Sequence, residues 1–307
     1  MTEPAPGAVA RTLCLGEALV DLICEHPVRS LAEVDAFVPH FGGAVANVAV
    51  AAAEAGASVA LAGGAGNDDW GAWLRARLQA AGVDVSLFRL LDGRHTPIAA
   101  VALDAAGEPR YQIYGETIGI VVEALEDRVE AAVRDSAALF FSTNTLIGEG
   151  EREVTMRARE VALAADRPVI FDPNLRLHRW SSQAAAAASA NACVPGALLV
   201  RANQFEAALM TGEEDPERAA LALRKAGARL IVITLGAAGA ILRGELKTDA
   251  PGVPAQLRST IGAGDILTGV LLARLALSDF YPSSVAAALP EAVAEGARAC
   301  ERWGALD

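Results

Sequence analysis

One strand–helix–strand unit stands out within residues 197–234, ALLVRANQFEAALMTGEEDPERAALALRKAGARLIVIT. It opens with the apolar run Ala197–Val200, continues through a helical pattern over Pro216–Ala226 and closes with the apolar run Leu230–Thr234. Asp215 directly before Pro216 is a typical helix start. Continuous apolar strands joined by a helix are typical of a parallel sheet that is covered on both faces.

The same alternation extends over the rest of the chain. Further strand-like runs are Leu13–Cys24, Val59–Ala62, Pro97–Leu103, Ala138–Phe141, Pro168–Phe171 and Gly239–Leu242. Helical patterns cover Ala46–Ala55, Asp69–Ala81 and Gly150–Ala165, and Ser181 or Ser182 can cap a further helix that carries the run Ala184–Ala188. We therefore predict an α/β fold, with a mostly parallel sheet and helices on both of its faces.

Two segments depart from this alternation. Glu25–His40 and His95–Glu116 contain short strand-like runs with polar turns such as Asp104–Glu108. They predict a small β appendage beside the main sheet. The chain contains no internal repeat and no linker rich in Pro or Ser, so we expect residues 1–307 to form one domain that includes the appendage.

Composition and charge exclude several classes of function. Of the 307 residues 53% are apolar, which allows a large core, and the formal net charge is −12. An acidic chain has no electrostatic reason to bind nucleic acid or anionic lipid. No apolar run approaches the length of a membrane span and no leader is evident at Met1–Ala10, so we expect a cytoplasmic protein. The scattered cysteines and histidines lack metal-binding spacing and predict reduced thiols and no tightly held transition metal.

The segment Thr260-Ile261-Gly262-Ala263-Gly264-Asp265 precedes an apolar helical run, Ile266–Ala276. Glycine-rich backbone at a helix N-terminus presents unpaired N–H groups and therefore an anion site. A carboxylate there would repel a phosphate unless it has a chemical task, and accepting a proton from an attacking hydroxyl is such a task. The alternative is an Asp265 that only stabilises the helix dipole.

A second glycine-rich segment, Gly42-Gly43-Ala44-Val45-Ala46-Asn47, leads into an alanine-rich helix. Two glycines allow close approach between backbone and ligand, and the Asn47 amide offers a donor and an acceptor to a hydroxyl group. The alternative is a tight loop in front of a packed helix.

Two common nucleotide-binding loops are absent. A Walker A loop requires Gly-Lys followed by Ser or Thr, whereas the two lysines of the chain, Lys225 and Lys247, follow Arg224 and Leu246. No G-x-G-x-x-G follows a strand, because Leu267 stands where the third glycine of that motif would follow Gly262 and Gly264. A dinucleotide site is therefore poorly supported.

Polar clusters also lie at the predicted strand ends, where α/β sheets place their ligands. They are Gly16–Asp21 with the carboxylates Glu17 and Asp21, Asp172–Arg176, Asn203–Glu206 and Thr234–Gly239. For each cluster taken alone, solvated loop polarity, helix capping or a simple turn is an alternative interpretation.

Taken together and in order, these elements resemble the ribokinase-like (PfkB) carbohydrate kinases over nearly the whole chain. Gly42-Gly43 with Asn47 is similar to the first signature of that family, and Gly262-Ala263-Gly264-Asp265 to the second. Val45 departs from the Pro that is usual in fructokinase-like members, Ser259 from the usual Asp, and Val270 from a small residue. None of these departures removes a reacting group.

The resemblance implies phosphoryl transfer from ATP to a sugar hydroxyl. Asp265 would act as the base, with Gly262, Ala263 and Gly264 stabilising the transferred group. The remaining expected site residues are Glu17, Asp21, Gly42, Gly43, Asn47, Arg110, Tyr111 and Arg176 for the sugar, Asn203, Thr234, Gly236 and Gly239 for the nucleotide, and Glu206 for hydrated Mg²⁺. The family also implies a role for a monovalent cation, a lid formed by the appendage over residues 25–40 and 95–116, and a homodimer through that lid.

The strand-end motifs are most similar to those of fructokinases and 2-keto-3-deoxygluconate kinases. Those kinases carry an aromatic stretch that usually ends in Arg, whereas here Tyr111 and Tyr114 are followed by Gly115 and Glu116. Lack of that Arg favours a neutral hexose such as fructose over the keto-acid. Other sugar or nucleoside kinases of the fold remain alternatives, as does a catalytically silent sugar-responsive regulator, although a regulator needs no base at Asp265.

Overall fold

A computed structural model describes residues 11–115 and 117–306. The interpretations of Met1–Ala10 and Glu116 therefore concern residues outside this range. The strands are β1 (Thr12–Leu15), β2 (Leu19–Pro27), β3 (Val38–Gly42), β4 (Val59–Gly66), β5 (Phe88–Leu91), β6 (Ile98–Leu103), β7 (Pro109–Tyr114), β8 (Ala138–Ser142), β9 (Val169–Asp172), β10 (Leu199–Asn203), β11 (Leu230–Thr234), β12 (Gly239–Gly244) and β13 (Thr248–Pro251). The α-helices are α1 (Ala44–Glu54), α2 (Asp69–Ala80), α3 (Thr117–Glu123), α4 (Val129–Arg134), α5 (Glu149–Ala164), α6 (Gln183–Cys193), α7 (Gln204–Thr211), α8 (Pro216–Lys225), α9 (Ala263–Leu277) and α10 (Ser283–Ala299).

Nine strands form the main sheet, in the order β13-β12-β11-β10-β9-β8-β1-β4-β5. Strand pairs from β5 to β11 are parallel, and the two remaining pairs at the other edge, β11–β12 and β12–β13, are antiparallel because β12 is reversed. The predicted α/β fold with a mostly parallel sheet is thus confirmed. The carboxyl ends of β8, β9, β10 and β11 lie along one edge of this sheet, as expected for parallel neighbours.

Two apolar cores lie on opposite faces of the main sheet. Helices α1, α2, α9 and α10 cover one face, where Leu61, Phe140 and Leu271 are buried. Helices α3 to α8 cover the other face, where Phe141 and Phe171 pack together. Residues that are adjacent in a strand, such as Phe140 and Phe141, serve opposite cores because side chains alternate along a strand. This explains why the strands are apolar without interruption.

Four strands form a second sheet in the order β3-β2-β6-β7, and we call it the small sheet. Its position matches the predicted appendage, but its beginning does not. The sequence predicts one strand over Leu13–Cys24, whereas the chain leaves the main sheet after β1 and enters the small sheet at Leu19. At this break, Gly43 packs so closely on the Glu17 and Ala18 backbone that a Cβ would lie 2.7 Å from the Glu17 carbonyl oxygen.

Within residues 11–115 and 117–306, no helix combines the length and the apolar character that a membrane crossing requires.

Candidate active site

A pocket of about 460 Å³, measured with its opening to solvent, lies between the small sheet and the carboxyl ends of β8 and β9. Eight of the predicted site residues line it, and the sequence separates them by up to 248 positions: Glu17, Asp21, Gly43, Asn47, Tyr111, Arg176, Gly262 and Asp265. The remaining lining residues are six apolar ones, half of them in the small sheet, together with Asn144 and Arg179.

Asp265 lies in the first turn of α9, whose N-cap residue Gly262 has a left-handed backbone conformation. Its side chain is 7% exposed, and each of its carboxylate oxygens accepts a hydrogen bond from an amide. Asn47 Nδ2 donates to Oδ2 at 2.9 Å and Asn174 Nδ2 donates to Oδ1 at 3.2 Å. The two amides hold the carboxylate in one orientation at the wall of the pocket.

Burial raises the pKa of Asp265 to about 7, even though the Asn47 hydrogen bond and the Arg176 charge act in the opposite direction. A carboxylate with this pKa changes protonation near neutral pH, which is the range that suits a general base. The alternative of a plain helix-dipole residue does not explain the burial, the two amide partners or the position in a pocket.

Two buried acceptor atoms in the pocket wall have no partner within the described part of the chain: Glu17 Oε2 and Asn47 Oδ1. Glu17 is held through its other oxygen, which accepts from the Ala44 N–H at 3.1 Å and from Asn144 Nδ2 at 2.9 Å. Burial raises the pKa of Glu17. Unpaired buried acceptors cost free energy, so both atoms are prepared to receive hydroxyl donors from a ligand.

Asp21 faces the pocket from β2 and is supported by Gly42 on the neighbouring strand β3. A Cβ on Gly42 would lie 2.3 Å from Asp21 Oδ2, so the carboxylate fills the space that any larger residue would need. Gly42 is therefore a support of the site and not part of its lining, whereas Gly43 lines the pocket with a φ of 99°. That positive φ favours glycine.

Two arginines enter the pocket from the segment after β9. The Arg176 guanidinium lies over the Tyr111 ring at 5.1 Å and has no hydrogen-bond partner within the described residues. Arg179 Nη1 donates to the Asn144 carbonyl oxygen at 3.2 Å. The sequence argument against an anionic substrate relied on the missing Arg at Gly115. The pocket nevertheless contains guanidinium groups, supplied by another strand end.

Arg201 lies behind the α9 N-terminus. It donates to Asp172 Oδ2 at 3.2 Å and to Thr234 Oγ1 at 2.9 Å, and it is buried. A Cβ on Gly264 would lie 2.6 Å from its guanidinium nitrogens. Gly264 thus allows a positive charge to approach the first turn of α9, and neither Gly264 nor Ala263 lines the pocket itself.

The prediction of Arg110 as a sugar ligand needs correction. Arg110 and Tyr111 are adjacent in β7, so their side chains point to opposite faces of the small sheet. Tyr111 lines the pocket, whereas Arg110 is exposed and its Nη1 donates to the Arg29 carbonyl oxygen at 2.8 Å. The Arg110 side chain therefore lies on the outer face of the small sheet.

Asn203 and Glu206 form a capping box at the start of α7. Asn203 Oδ1 accepts from the Glu206 N–H at 2.8 Å, and Glu206 Oε2 accepts from the Asn203 N–H at 2.9 Å. The second oxygen of Glu206 accepts from the Leu175 N–H at 2.8 Å. Capping, one of the two interpretations of this segment, is therefore present. It leaves further lone pairs on the Glu206 oxygens, and the predicted metal role stays a prediction.

The segment Thr234–Gly239 begins at the end of β11, where Thr234 pairs in register with Asn203. Gly236 and Gly239 have φ values of 58° and 100°, which explains the glycines. This segment and Asn203 lie at the same sheet edge as the pocket but do not line it. Their role toward a nucleotide stays a prediction.

Three pocket or near-pocket residues were not singled out from the sequence as ligands: Asn144, Asn174 and Arg179. Asn174 lies in the strand-end cluster Asp172–Arg176, so its position after a buried strand was a usable signal. Asn144 follows β8 in the same way. Arg179 lies in a short 3₁₀ helix, Leu177–Arg179, and carries no local signal.

Comparison with known proteins supports a functional interpretation of this pocket. The profile of the pfkB family carbohydrate kinases matches residues 9–305. Fructokinase-1 of Oryza sativa subsp. japonica is 32% identical over 263 residues, which cover 85% of this chain and 81% of that protein. The fructokinase of Solanum tuberosum is 29% identical over 262 residues, which cover 85% of this chain and 79% of that protein.

Solved structures agree with this match. The fructokinase of Vibrio cholerae O395, in its fructose, ADP and calcium ion bound form, superposes with a TM-score of 0.84 at 26% identity, covering 97% of this chain and 95% of that one. The aminoimidazole riboside kinase of Salmonella enterica, complexed with aminoimidazole riboside and an ATP analog, superposes with a TM-score of 0.81 at 26% identity. The latter match covers 96% of this chain and 95% of that one.

Proposed function

Because the chain belongs to the pfkB family of carbohydrate kinases, we propose that this sugar kinase transfers a phosphoryl group from ATP to a hydroxyl of D-fructose. The observation that carries the proposal is the pairing of Asp265 with Asn47 and Asn174 in a pocket whose wall contains unpaired acceptors. A polyol needs several directed acceptors, and a phosphoryl transfer needs a base near the attacking oxygen.

The sugar would be held by acceptors on two sides of the pocket. Asp21 on the small sheet and Glu17 after β1 offer carboxylate oxygens, and Asn47 Oδ1 offers an amide oxygen next to the base. Hydroxyl groups that donate to Glu17 Oε2 and Asn47 Oδ1 would remove the cost of leaving these two atoms unpaired. This arrangement would orient one hydroxyl of the ring toward Asp265.

Asp265 would accept the proton of that hydroxyl while the new bond to phosphorus forms. Helical geometry leaves the N–H groups of the first turn of α9 without intrahelical partners, and these groups and the helix dipole favour negative charge. Ala263 and Gly264 belong to this turn, where the Ala263 N–H makes only a long bond of 3.4 Å to the Thr260 carbonyl oxygen. The Arg201 guanidinium lies directly behind the turn. Charge on the transferred group is thus stabilised by backbone donors and by a buried cation.

The residues also fit a divalent cation and a nucleotide. Mg²⁺ prefers oxygen ligands and retains water, and in phosphoryl transfer it neutralises charge on the phosphate oxygens. Glu206 and Asn203 offer such oxygens at the start of α7, one strand away from Asp172. The Arg176 guanidinium, which has no hydrogen-bond partner in the described part of the chain, fits a phosphate oxygen. A monovalent-cation requirement stays a prediction.

We further propose that the small sheet acts as the lid. It supplies Leu19, Asp21, Ala99, Tyr111 and Ile113 to the pocket, so its approach to α9 would exclude water from the reacting groups. Its exposed side chains Val38 and Tyr114, with the exposed Phe37 directly before β3, support the expectation of a homodimer through the lid. Light scattering of the purified protein would measure its oligomeric state.

One observation favours a second substrate, 2-keto-3-deoxygluconate. Arg176 and Arg179 both line the pocket, and a guanidinium can bind a carboxylate with two hydrogen bonds. Against this, Asp21 faces the same space, and Glu17 and Asp265 would also repel a substrate carboxylate when they are ionised. The relatives compared above are fructokinases, so we favour the neutral sugar.

The test is a substrate panel with ATP and Mg²⁺, in which ADP release is measured for D-fructose, 2-keto-3-deoxygluconate, ribose and adenosine. We expect the highest kcat/KM for fructose. If the keto-acid leads by tenfold or more, about 1.4 kcal/mol in transition-state binding, then Arg176 and Arg179 bind its carboxylate and the fructose assignment is wrong. If none of the four compounds reacts above the ATPase background, the sugar-responsive regulator becomes the better interpretation.

A further inference from the structure

A second cluster of reactive side chains lies in the small sheet and takes no part in the proposed reaction. Cys24 Sγ lies 3.5 Å from His26 Nε2, and the same nitrogen lies 2.8 Å from Asp35 Oδ1. All three atoms lie within 4.8 Å of one another. Cys24 is buried, whereas His26 and Asp35 are exposed, so the cluster opens to solvent on one side.

The strand geometry brings these residues together. Cys24 and His26 are two positions apart in β2, at a place where the pairing of β2 with β6 changes register between Ile23 and Pro27. Asp35 comes from the connection between the 3₁₀ helix Leu31–Glu33 and β3. Strand irregularities of this kind re-aim side chains. Here the irregular stretch contains the two residues whose Sγ and Nε2 atoms approach each other.

Sγ and Oδ1 both approach the same ring nitrogen, and one proton on that nitrogen serves only one of them. Without a cation, the Asp35 carboxylate takes this proton and the Cys24 thiol donates to the His26 carbonyl oxygen at 3.5 Å. A relay of the catalytic-triad kind is excluded, because it needs one partner on each nitrogen of the imidazole. A metal ion in place of the proton would satisfy sulfur, nitrogen and oxygen at once.

The donor set and the spacing indicate which ion fits. Thiolate, imidazole and carboxylate together suit Zn²⁺, whereas Mg²⁺ avoids sulfur. For tetrahedral Zn²⁺, bond lengths of about 2.3 Å to sulfur and about 2.05 Å to nitrogen place these two ligand atoms about 3.5 Å apart. The observed Sγ–Nε2 distance is 3.5 Å. Asp35 is exposed on its connecting segment and needs only a small shift to complete the set.

We propose that Cys24, His26 and Asp35 form a binding site for Zn²⁺, with water as the fourth ligand. The ion would link Asp35, in the segment before β3, to Cys24 and His26 in β2. Cys24 lies three residues after the pocket residue Asp21. The ion would therefore stabilise the small sheet in its observed arrangement. Binding would release the thiol proton of Cys24 and the proton shared between His26 and Asp35.

The test uses the full chain without a histidine tag, freed of metal by a chelator and then desalted. Titration with Zn²⁺ should show one equivalent bound. Titration with Co²⁺ should produce a thiolate-to-metal charge-transfer band in the near ultraviolet, which an oxygen site such as the one near Glu206 cannot produce. Millimolar Mg²⁺ should not displace either ion.

Variants distinguish this site from any other thiol. Cys24→Ser should abolish the charge-transfer band, and His26→Gln and Asp35→Asn should each weaken Zn²⁺ binding tenfold or more. The last two side chains are exposed, so these variants should fold normally. Cys300→Ser, the matched control, should leave both titrations unchanged. The proposal is overturned if no ion binds, if the three variants bind like the parent, or if the Co²⁺ band depends on Cys300.

Discussion

At the scale of single residues, Asp21 is the clearest case of a side chain whose neighbours are shaped around it. Gly42 has no Cβ because the Asp21 carboxylate occupies that space, and Asp21 faces the pocket from the small sheet. We predict that Asp21→Ala raises the KM for fructose tenfold or more and leaves the KM for ATP within about twofold, as expected for a loss of about 1.4 kcal/mol of sugar binding.

Separate titration of the two substrates measures this effect. Asp127→Ala, which removes an exposed carboxylate outside the pocket, is the control and should change neither constant. An unchanged KM for fructose in Asp21→Ala would place the sugar elsewhere.

The protonation of Asp265 predicts a pH dependence of the rate. Because burial raises the pKa of this carboxyl to about 7, the base is mostly protonated below that pH and ionised above it. We predict that kcat for fructose falls about tenfold per pH unit below pH 7 and levels off above it. A steady-state profile from pH 5.5 to 8.5 with saturating substrates measures this. A kcat that is independent of pH below 7 would argue against a carboxylate base.

At the scale of elements, the helix starts were the most predictable features. Asp215 caps α8 before Pro216, and Ser182 Oγ accepts from the Ala185 N–H at the start of α6. Both caps follow from local side-chain chemistry. The break between β1 and β2 was not predictable, because the predicted strand Leu13–Cys24 spans it. Local apolar patterning carries no information about which sheet a strand joins.

The capping box of α7 allows an experiment to distinguish a structural role of Glu206 from a metal-binding role. Both oxygens of Glu206 accept backbone N–H groups, from Asn203 and from Leu175. We predict that Glu206→Gln lowers the free energy of unfolding by about 1–3 kcal/mol without nucleotide or Mg²⁺, because its amide nitrogen cannot accept one of these bonds. Urea unfolding measures this, with the exposed Glu214→Gln as control. Unchanged stability together with a raised Mg²⁺ requirement would show that Glu206 serves the metal alone.

At the scale of the whole molecule, the sequence predicted the architecture and much of the pocket, and the misses have physical causes. Asp21, Asn47 and Asp265 were found because each lies in a motif or at a strand end. Arg110 was assigned to the wrong face because the phase of β7 relative to the pocket depends on its pairing with β6, in which Val101 is opposite Tyr111. Arg179 was missed because its position in the pocket arises from tertiary packing.

The carboxyl group of Asp265 also affects the stability of the whole molecule. The pKa of Asp265 is raised in the folded state from 3.8 to about 7, so its contribution to stability is present below pH 4 and is lost as pH rises through 7. We predict that Asp265→Asn unfolds at a higher temperature than the parent at pH 8, with the difference shrinking toward pH 4. Asn47 and Asn174 can accommodate the change by rotating their amides, since the Oδ1 atom of each has no partner in the described residues. A lower unfolding temperature for Asp265→Asn at pH 8 would contradict this.

The most direct test of the central claim is kcat for ATP-dependent phosphorylation of fructose by Asp265→Asn. We predict a fall of roughly 10²-fold or more, the range for losing a general base, while ATP binding measured by calorimetry is retained. The matched control is Asp69→Asn, which changes the exposed first-turn Asp of α2 and should leave kcat unchanged. A kcat within a few-fold of the parent for Asp265→Asn would show that Asp265 is only a helix-dipole residue and that the proposed mechanism is wrong.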